Sequence, residues 1–149
     1  MSLTLTAVCL VTLCTAIAIW VKRTRDRNVM EQHSITPEQL HALLSSTQEV
    51  LAFDVRQPLD LLANSEIIPG AKRIPPNEIL ENPSLIPKEK DSVAYCTCPG
   101  DKSSRAVIHR ALTMHFYRVR FLKGGLAAWK ARGYPVEPYQ QPFRLDTAT

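Results

Sequence analysis

Residues 3–21 form one uninterrupted apolar segment, LTLTAVCLVTLCTAIAIWV, without a charged residue, proline, glycine, asparagine or glutamine. As a helix rising about 1.5 Å per residue, the segment would be roughly 28 Å long, which matches the hydrocarbon thickness of a bilayer. Trp20 lies at the end of the segment, where an indole ring prefers the membrane interface. The segment therefore predicts a transmembrane helix.

A cluster of basic residues follows the apolar segment directly. Residues 22–27 carry four positive charges and one negative charge. Positively charged flanks tend to stay on the cytoplasmic side of a membrane, so we expect a single-pass protein whose soluble part faces the cytoplasm. Residues 22–34 are predicted to form a basic juxtamembrane linker, whose charges attract anionic headgroups of membrane lipids.

A cleaved signal peptide is the alternative interpretation of the apolar segment. Signal peptides normally carry positive charge before a shorter apolar core and have small residues at the cleavage site. Here no basic residue precedes the core and the core is long, although residues 16–18, Ala-Ile-Ala, resemble a cleavage site. These features favour a retained anchor over a cleaved leader.

The net charge of the whole chain is +4, and most of it comes from the basic cluster. Nucleic acid is therefore not predicted as a partner, because the basic cluster lies beside the apolar segment and the rest of the chain is nearly neutral. The chain has 149 residues, of which 45% are hydrophobic and 21% charged. Its length and composition predict one globular domain after the apolar segment.

Short apolar runs alternate with helical segments in this second part. Residues 49–55 and 91–96 are nearly continuous apolar runs, as expected of strands that are buried on both faces of a parallel sheet, and residues 118–122 predict a third strand. The alternation predicts an α/β domain over residues 35–138, in which helices flank a central parallel sheet and sites lie at the carboxyl ends of strands. Residues 139–149 are predicted to be a flexible tail.

Several local signals predict where helices begin. Thr36 can cap a helix that starts at Pro37, with Gln39 as the partner in a capping box. Ser103 is predicted to open a longer helix. Residues 124–125, Gly-Gly, are interpreted as the backbone geometry of a strand-to-helix turn.

The chemically informative segment is the loop after the second apolar run, YCTCPGDKSSR over residues 95–105. A cysteine between a buried strand and a helix N-terminus lies where backbone N–H groups converge and where the helix dipole favours negative charge. Both effects stabilise a thiolate and bind an anion. Cys96 is therefore the candidate nucleophile, and a buried cysteine without a chemical role is the alternative. Lys102 adds a positive charge at the helix entrance.

Four motifs follow one another along residues 35–137. They are Asp54-Val55-Arg56, Ile68-Pro69-Gly70-Ala71, the Tyr95-Cys96 loop that leads into Ser103-Ser104-Arg105, and residues 122–129 (LKGGLAAW) closing with Gly133-Tyr134-Pro135-Val136. In this order and spacing they resemble the rhodanese-like domain family.

The resemblance implies a sulfurtransferase whose catalytic cysteine, here Cys96, takes a sulfane sulfur from thiosulfate or a persulfide donor. The sulfur would pass through a Cys96 persulfide to a thiophilic acceptor such as cyanide or a thiol. No metal or organic cofactor is expected for this chemistry. The residues predicted to bind the donor are Thr97, Gly100, Lys102, Ser103 and Arg56. For Arg56 a structural ion pair is an equally open interpretation.

The loop departs from the usual pattern of the family. The usual sulfurtransferase loop has six residues from Cys to a terminal Arg or Thr, whereas here seven residues run from Cys96 to Lys102 and Gly100 comes one position late. Related phosphatases and arsenate reductases have loops of about this length, but they need Arg six positions after Cys for bidentate oxyanion binding. Lys102 is a point charge and cannot supply that geometry, so these activities are disfavoured.

Cys98 is a second thiol, two positions after Cys96. It is a candidate resolving or relay thiol that accepts sulfur from a Cys96 persulfide or forms a disulfide with Cys96. The alternative is a small residue that turns the loop. No metal is predicted, because a structural zinc site usually needs four ligands. A non-catalytic docking or sulfur-relay module with a membrane protein partner is the alternative to an enzyme.

Overall fold

The computed structural model describes residues 2–97 and 99–142, without the side chains of residues 2–5 and 99. The chain divides into two compact units, Met1–Gln32 and His33–Thr149. The first unit is one helix, α1, over Ser2–Gln32. It contains the predicted transmembrane segment, and over Thr6–Gln32 it is long and apolar enough to cross a membrane or to act as a signal sequence.

Helix α1 continues beyond the predicted end of the apolar segment. Residues 22–32, which were predicted to form a linker, are helical. Their sequence explains the difference, because it contains no proline or glycine and is rich in Arg, Glu, Gln and Met, which all have high helix propensity.

The second unit is built on a parallel sheet. Its five strands are β1 (Ser34–Ile35), β2 (Val50–Asp54), β4 (Lys72–Arg73), β5 (Asp91–Tyr95) and β6 (Val119–Leu122). They lie in the order β1-β6-β5-β2-β4, and all neighbours are parallel. A separate antiparallel pair joins β3 (Glu66–Ile67) to β7 (Glu137–Pro138). The predicted central parallel sheet is confirmed.

Helices flank this sheet, as the alternation in the sequence predicted. They are α2 (Pro37–Leu44), α3 (Pro58–Ala63), α4 (Pro76–Glu81), α5 (Lys102–Thr113) and α6 (Gly125–Ala131), with a 3-10 turn at Pro83–Leu85. Helix α2 has the predicted capping box: Gln39 N donates to Thr36 Oγ1 at 3.3 Å, and Thr36 N donates to Gln39 Oε1 at 3.0 Å.

The core of the second unit lies between the sheet and its helices. Buried side chains from both pack together, among them Leu40, Val93, Leu122 and Trp129. Strands β2 and β5 are in register along their whole length, so that Asp54 lies opposite Tyr95 at their carboxyl ends. This register brings the first and third sequence motifs to the same edge of the sheet.

The end of the described chain is held by the small antiparallel pair. Beyond β7, Tyr139 N donates to Ser65 O at 2.6 Å. The predicted flexible tail therefore begins with a residue that is hydrogen-bonded to the domain. Residues 143–149 of that predicted tail lie outside the described residues.

Candidate active site

A buried ion pair lies at the carboxyl end of β2. Arg56 Nε donates to both Asp54 carboxylate oxygens at 2.9 Å, and Arg56 Nη2 donates to Asp54 Oδ2 at 2.5 Å. The guanidinium also donates to the carbonyls of Asn64 at 2.7 Å and Glu66 at 2.8 Å. Both charged side chains are fully buried. Arg56 is therefore engaged as a structural ion pair, and the prediction that it draws an anionic donor is not supported.

Tyr95 lies opposite Asp54 of this ion pair and directly precedes Cys96. The Tyr95 hydroxyl accepts a hydrogen bond from Ile68 N at 3.1 Å. Burial raises the pKa of Tyr95 far above its ordinary value, and the nearby negative charge of Asp54 raises that pKa further. The hydroxyl therefore stays protonated, and the end of β5 is anchored to the neighbouring Ile68 turn.

Cys96 is fully buried directly after β5. Its Sγ lies 3.5 Å from Ser104 Oγ, and the Ser104 hydroxyl donates to Asp101 O at 3.0 Å. A hydroxyl has one proton, so in this arrangement the Cys96 thiol donates to Ser104. When the thiol ionises, the Ser104 hydroxyl can rotate and donate to the thiolate instead. Ser104 is thus placed to stabilise a Cys96 thiolate.

Sequence reasoning named Ser103 and missed Ser104. Ser104 lies on the buried face of α5 together with Val107, Ile108 and Ala111. This spacing of three, four and seven residues is the helical pattern of an inward face. The periodicity of α5 was therefore a signal that Ser104 points toward the core.

The loop enters α5 through two residues with left-handed backbone conformation, Gly100 at φ 69° and Asp101 at φ 55°. A positive φ is uncommon for a residue other than glycine. The Asp101 carboxylate does not cap α5. Its Oδ2 instead accepts a hydrogen bond from Gly124 N at 2.9 Å. Asp101, which the sequence patterns did not single out, thus joins the cysteine loop to the turn between β6 and α6.

The N-terminus of α6 packs directly on the backbone of Cys96. Leu126 N donates to Cys96 O at 3.0 Å. A Cβ atom placed on Gly125 would lie 1.9 Å from Cys96 O, far inside contact distance. The predicted Gly-Gly turn is therefore required for a second reason, the close approach of α6 to the cysteine loop.

The predicted donor-binding residues fall into two groups. The structure places Thr97, Gly100, Lys102 and Ser103 in and just after the cysteine loop, with Gly100 and Lys102 exposed. Arg56 is separated from solvent in its ion pair. Cys98 lies outside the described residues. Within the described part of the chain, no group of three or more His, Cys, Asp or Glu side chains is arranged to hold a metal ion.

The second unit is an α/β domain in which the central parallel strand β5 is followed by a cysteine and a short loop that leads into helix α5. Residues 36–132 match the family model of the Rhodanese-like domain. The chain belongs to the rhodanese-like domain family.

Relatives and solved structures match 70–78% of the chain. A sulfurtransferase from Allochromatium vinosum is 34% identical over 104 residues, which are 70% of this chain and 94% of the relative. The structure of a rhodanese-related protein from Thermoplasma volcanium is 25% identical with a TM-score of 0.58, and the match covers 72% of this chain and 99% of that one. The rhodanese-like domain of the Anabaena sp. Alr3790 protein is 27% identical with a TM-score of 0.61, covering 78% and 89%.

Proposed function

We propose that this protein is a membrane-anchored sulfurtransferase that carries sulfane sulfur as a persulfide on Cys96. The observation that carries the proposal is the position of Cys96 at the carboxyl end of β5, with its Sγ next to Ser104 Oγ. The 34% identity to a sulfurtransferase supports sulfur transfer in general. Nucleophilic catalysis by a cysteine splits the transfer into two simpler steps.

In the first step, the Cys96 thiolate attacks the outer sulfur of the donor. A bond forms between Cys96 Sγ and that sulfur while the sulfur–sulfur bond of the donor breaks, and with thiosulfate the leaving group is sulfite. In the second step, cyanide or an acceptor thiolate attacks the outer sulfur and Cys96 leaves as a thiolate. Thiocyanate or an organic persulfide is the product, and no external oxidant or reductant is consumed.

The groups around Cys96 support both steps. The N-terminus of α5 places the positive end of a helix dipole beside the cysteine loop, which favours thiolate and persulfide anions. We propose that Thr97, Gly100, Lys102 and Ser103 border the donor. We also propose Cys98 as a relay thiol, on the strength of its position two residues after Cys96.

Sulfur loading of the full-length protein in mild detergent tests the function. With thiosulfate or an organic persulfide, the wild type is expected to gain the mass of one sulfur atom on the peptide that contains Cys96, and to form thiocyanate when cyanide is added. Cys96→Ser should abolish both signals. Cys98→Ser should still load sulfur, and loss of loading in this variant would make Cys98 the nucleophile.

The same series separates the alternatives. A wild-type protein that loads sulfur from neither donor class is not a sulfurtransferase, and a docking module that binds a membrane protein would then account for the fold. Hydrolysis of aryl phosphates or reduction of arsenate, lost in Cys96→Ser, would instead indicate a phosphatase or arsenate reductase. We expect neither activity, because Lys102 cannot bind an oxyanion as Arg does.

The proposed location follows from α1 and its basic flank. We propose that α1 is retained as a single-pass anchor, that the second unit faces the cytoplasm, and that residues 22–27 contact anionic lipid headgroups. A reporter enzyme fused after Thr149 is expected to be active in its cytoplasmic form and to sediment with membranes. Activity of an export-dependent reporter would contradict the orientation, and a soluble fusion that lacks α1 would indicate a cleaved signal sequence.

A further inference from the structure

Asp101 and Lys102 are the charged residues of the loop after Cys96, and the Asp54–Arg56 ion pair lies at the end of the neighbouring strand. Arg56 is neutralised by Asp54 and fully buried. Lys102 is exposed at the start of α5. Asp101 lies between the cysteine and Lys102 in the loop. The loop from Cys96 to Lys102 therefore has no net positive charge, although the proposed donors are anions.

The Asp101 carboxylate is held near the backbone of Cys96 by specific contacts. Its Oδ2 accepts the Gly124 N–H at 2.9 Å. The position of a Cβ on Gly125 lies 3.5 Å from Asp101 Oδ1 and 1.9 Å from Cys96 O, so the carboxylate borders the Cys96 backbone. Because Asp101 also directly precedes α5, its negative charge offsets the positive helix end that would otherwise attract an anion.

From this geometry we propose that Asp101 determines donor specificity, by selecting against dianionic donors such as thiosulfate in favour of donors with one negative charge or none. Organic persulfides and thiosulfonates are the favoured class. This inference rests on the proposed sulfurtransferase function and names the donor class of the same site. It adds a reason against phosphate monoesters, which are largely dianionic at neutral pH because their second pKa is about 6.

Two donors that differ by one charge make the proposal measurable. Thiosulfate is a dianion, whereas methanethiosulfonate is a monoanion with the same outer sulfur and a sulfinate leaving group. In both cases the Cys96 thiolate gains the outer sulfur and the donor leaves as sulfite or methanesulfinate. Coulomb energy is proportional to the charge of the donor, so the factor by which Asp101 slows the dianion should be the square of the factor for the monoanion.

The test compares Asp101→Asn with the wild type in full-length protein, with cyanide as acceptor. Asparagine retains an Oδ1 that can accept the Gly124 N–H, and it removes the charge. We expect kcat/KM to rise about tenfold for thiosulfate and about threefold for methanethiosulfonate, and the difference to shrink at high ionic strength. In the wild type, methanethiosulfonate should be the better donor.

Two further variants control the experiment. Glu89→Gln makes the same change in net charge at an exposed position before the amino end of β5, the opposite end of the strand from Cys96, and should leave the ratio of the two kcat/KM values unchanged. Asp101→Glu keeps the charge, so the ratio should stay at its wild-type value even where both rates fall.

The outcomes distinguish a failure of the role proposed for Asp101 from a failure of the proposed sulfurtransferase function. Equal changes for both donors in Asp101→Asn, or no change for either, would overturn the role of Asp101 while sulfur loading of Cys96 still holds. A wild type that prefers thiosulfate would also overturn it. Failure of Cys96 to load sulfur from both donors and from an organic persulfide would instead refute the proposed function itself.

Discussion

Replacement of Arg56 by methionine is expected to lower the free energy of unfolding of the second unit by about 3–5 kcal/mol. The guanidinium is the partner of the fully buried Asp54 carboxylate, and methionine would leave that charge without a counter-ion. The variant would also remove the donors to the carbonyls of Asn64 and Glu66. An unpaired buried charge costs far more than a lost surface contact, so this is one of the two largest effects expected of a single substitution.

A surface ion pair of the same chain is the matched control. Arg118 Nη2 lies 3.0 Å from Asp91 Oδ2, but the Arg118 side chain is 54% exposed. Arg118 holds the pKa of Asp91 below its ordinary value through a hydrogen bond, although solvent screens this interaction. Arg118→Met is therefore expected to cost much less stability than Arg56→Met, because solvent already screens this ion pair.

Urea unfolding of the full-length protein in mild detergent measures both losses. The fluorescence of the buried Trp129 reports on the second unit when Trp20 is replaced by phenylalanine in every variant. The double variant Asp54→Asn/Arg56→Met should recover part of the loss, because it removes both charges. Equal small losses for Arg56→Met and Arg118→Met would show that the buried pair does not stabilise the fold.

Gly125→Ala is expected to be the second severe substitution, with a loss of roughly 2–5 kcal/mol and a displaced cysteine loop. Gly125 has a φ of 54°, which any other residue adopts at a cost. In addition, the new Cβ would lie 1.9 Å from Cys96 O and 2.9 Å from Cys96 C, both of them backbone atoms that cannot rotate away. The hydrogen bond from Leu126 N to Cys96 O would be lost when the cysteine loop is displaced.

Gly133→Ala separates the cost of a positive φ from the cost of the steric overlap with Cys96. Gly133 has a φ of 71°, but no atom lies within 4 Å of the Cβ position. This variant should lose only the conformational part, about 1–2 kcal/mol, and should load sulfur at the wild-type rate. In the same urea and sulfur-loading measurements, Gly125→Ala should lose more stability and load sulfur more slowly. Equal behaviour of the two alanine variants would contradict a structural role for the close approach at Gly125.

The elements with strong local patterns were predictable from the sequence. The apolar runs at β2 and β5 indicated buried parallel strands, and the capping box at Thr36 marked the start of α2. The two-residue strands β1, β3 and β7 were not predicted, because two residues have no periodicity and pair only once the rest of the sheet is in place. The helical continuation of α1 was missed because the basic residues were interpreted as a linker.

The amino-acid sequence by itself determined that an uncharged apolar segment precedes an α/β domain and that Cys96 lies between a buried strand and a helix. Each of these features depends on neighbours within a few positions, so local patterns record them. Only the tertiary structure decided that Arg56 forms a buried ion pair with Asp54 and that Ser104 lies next to Cys96 Sγ. It also brought the Asp101 carboxylate to Gly124, which is 23 positions further along the chain. The contact between Asp101 and Gly124 arises because the packing of β6 and α6 against the cysteine loop brings distant residues together, and no local pattern encodes it.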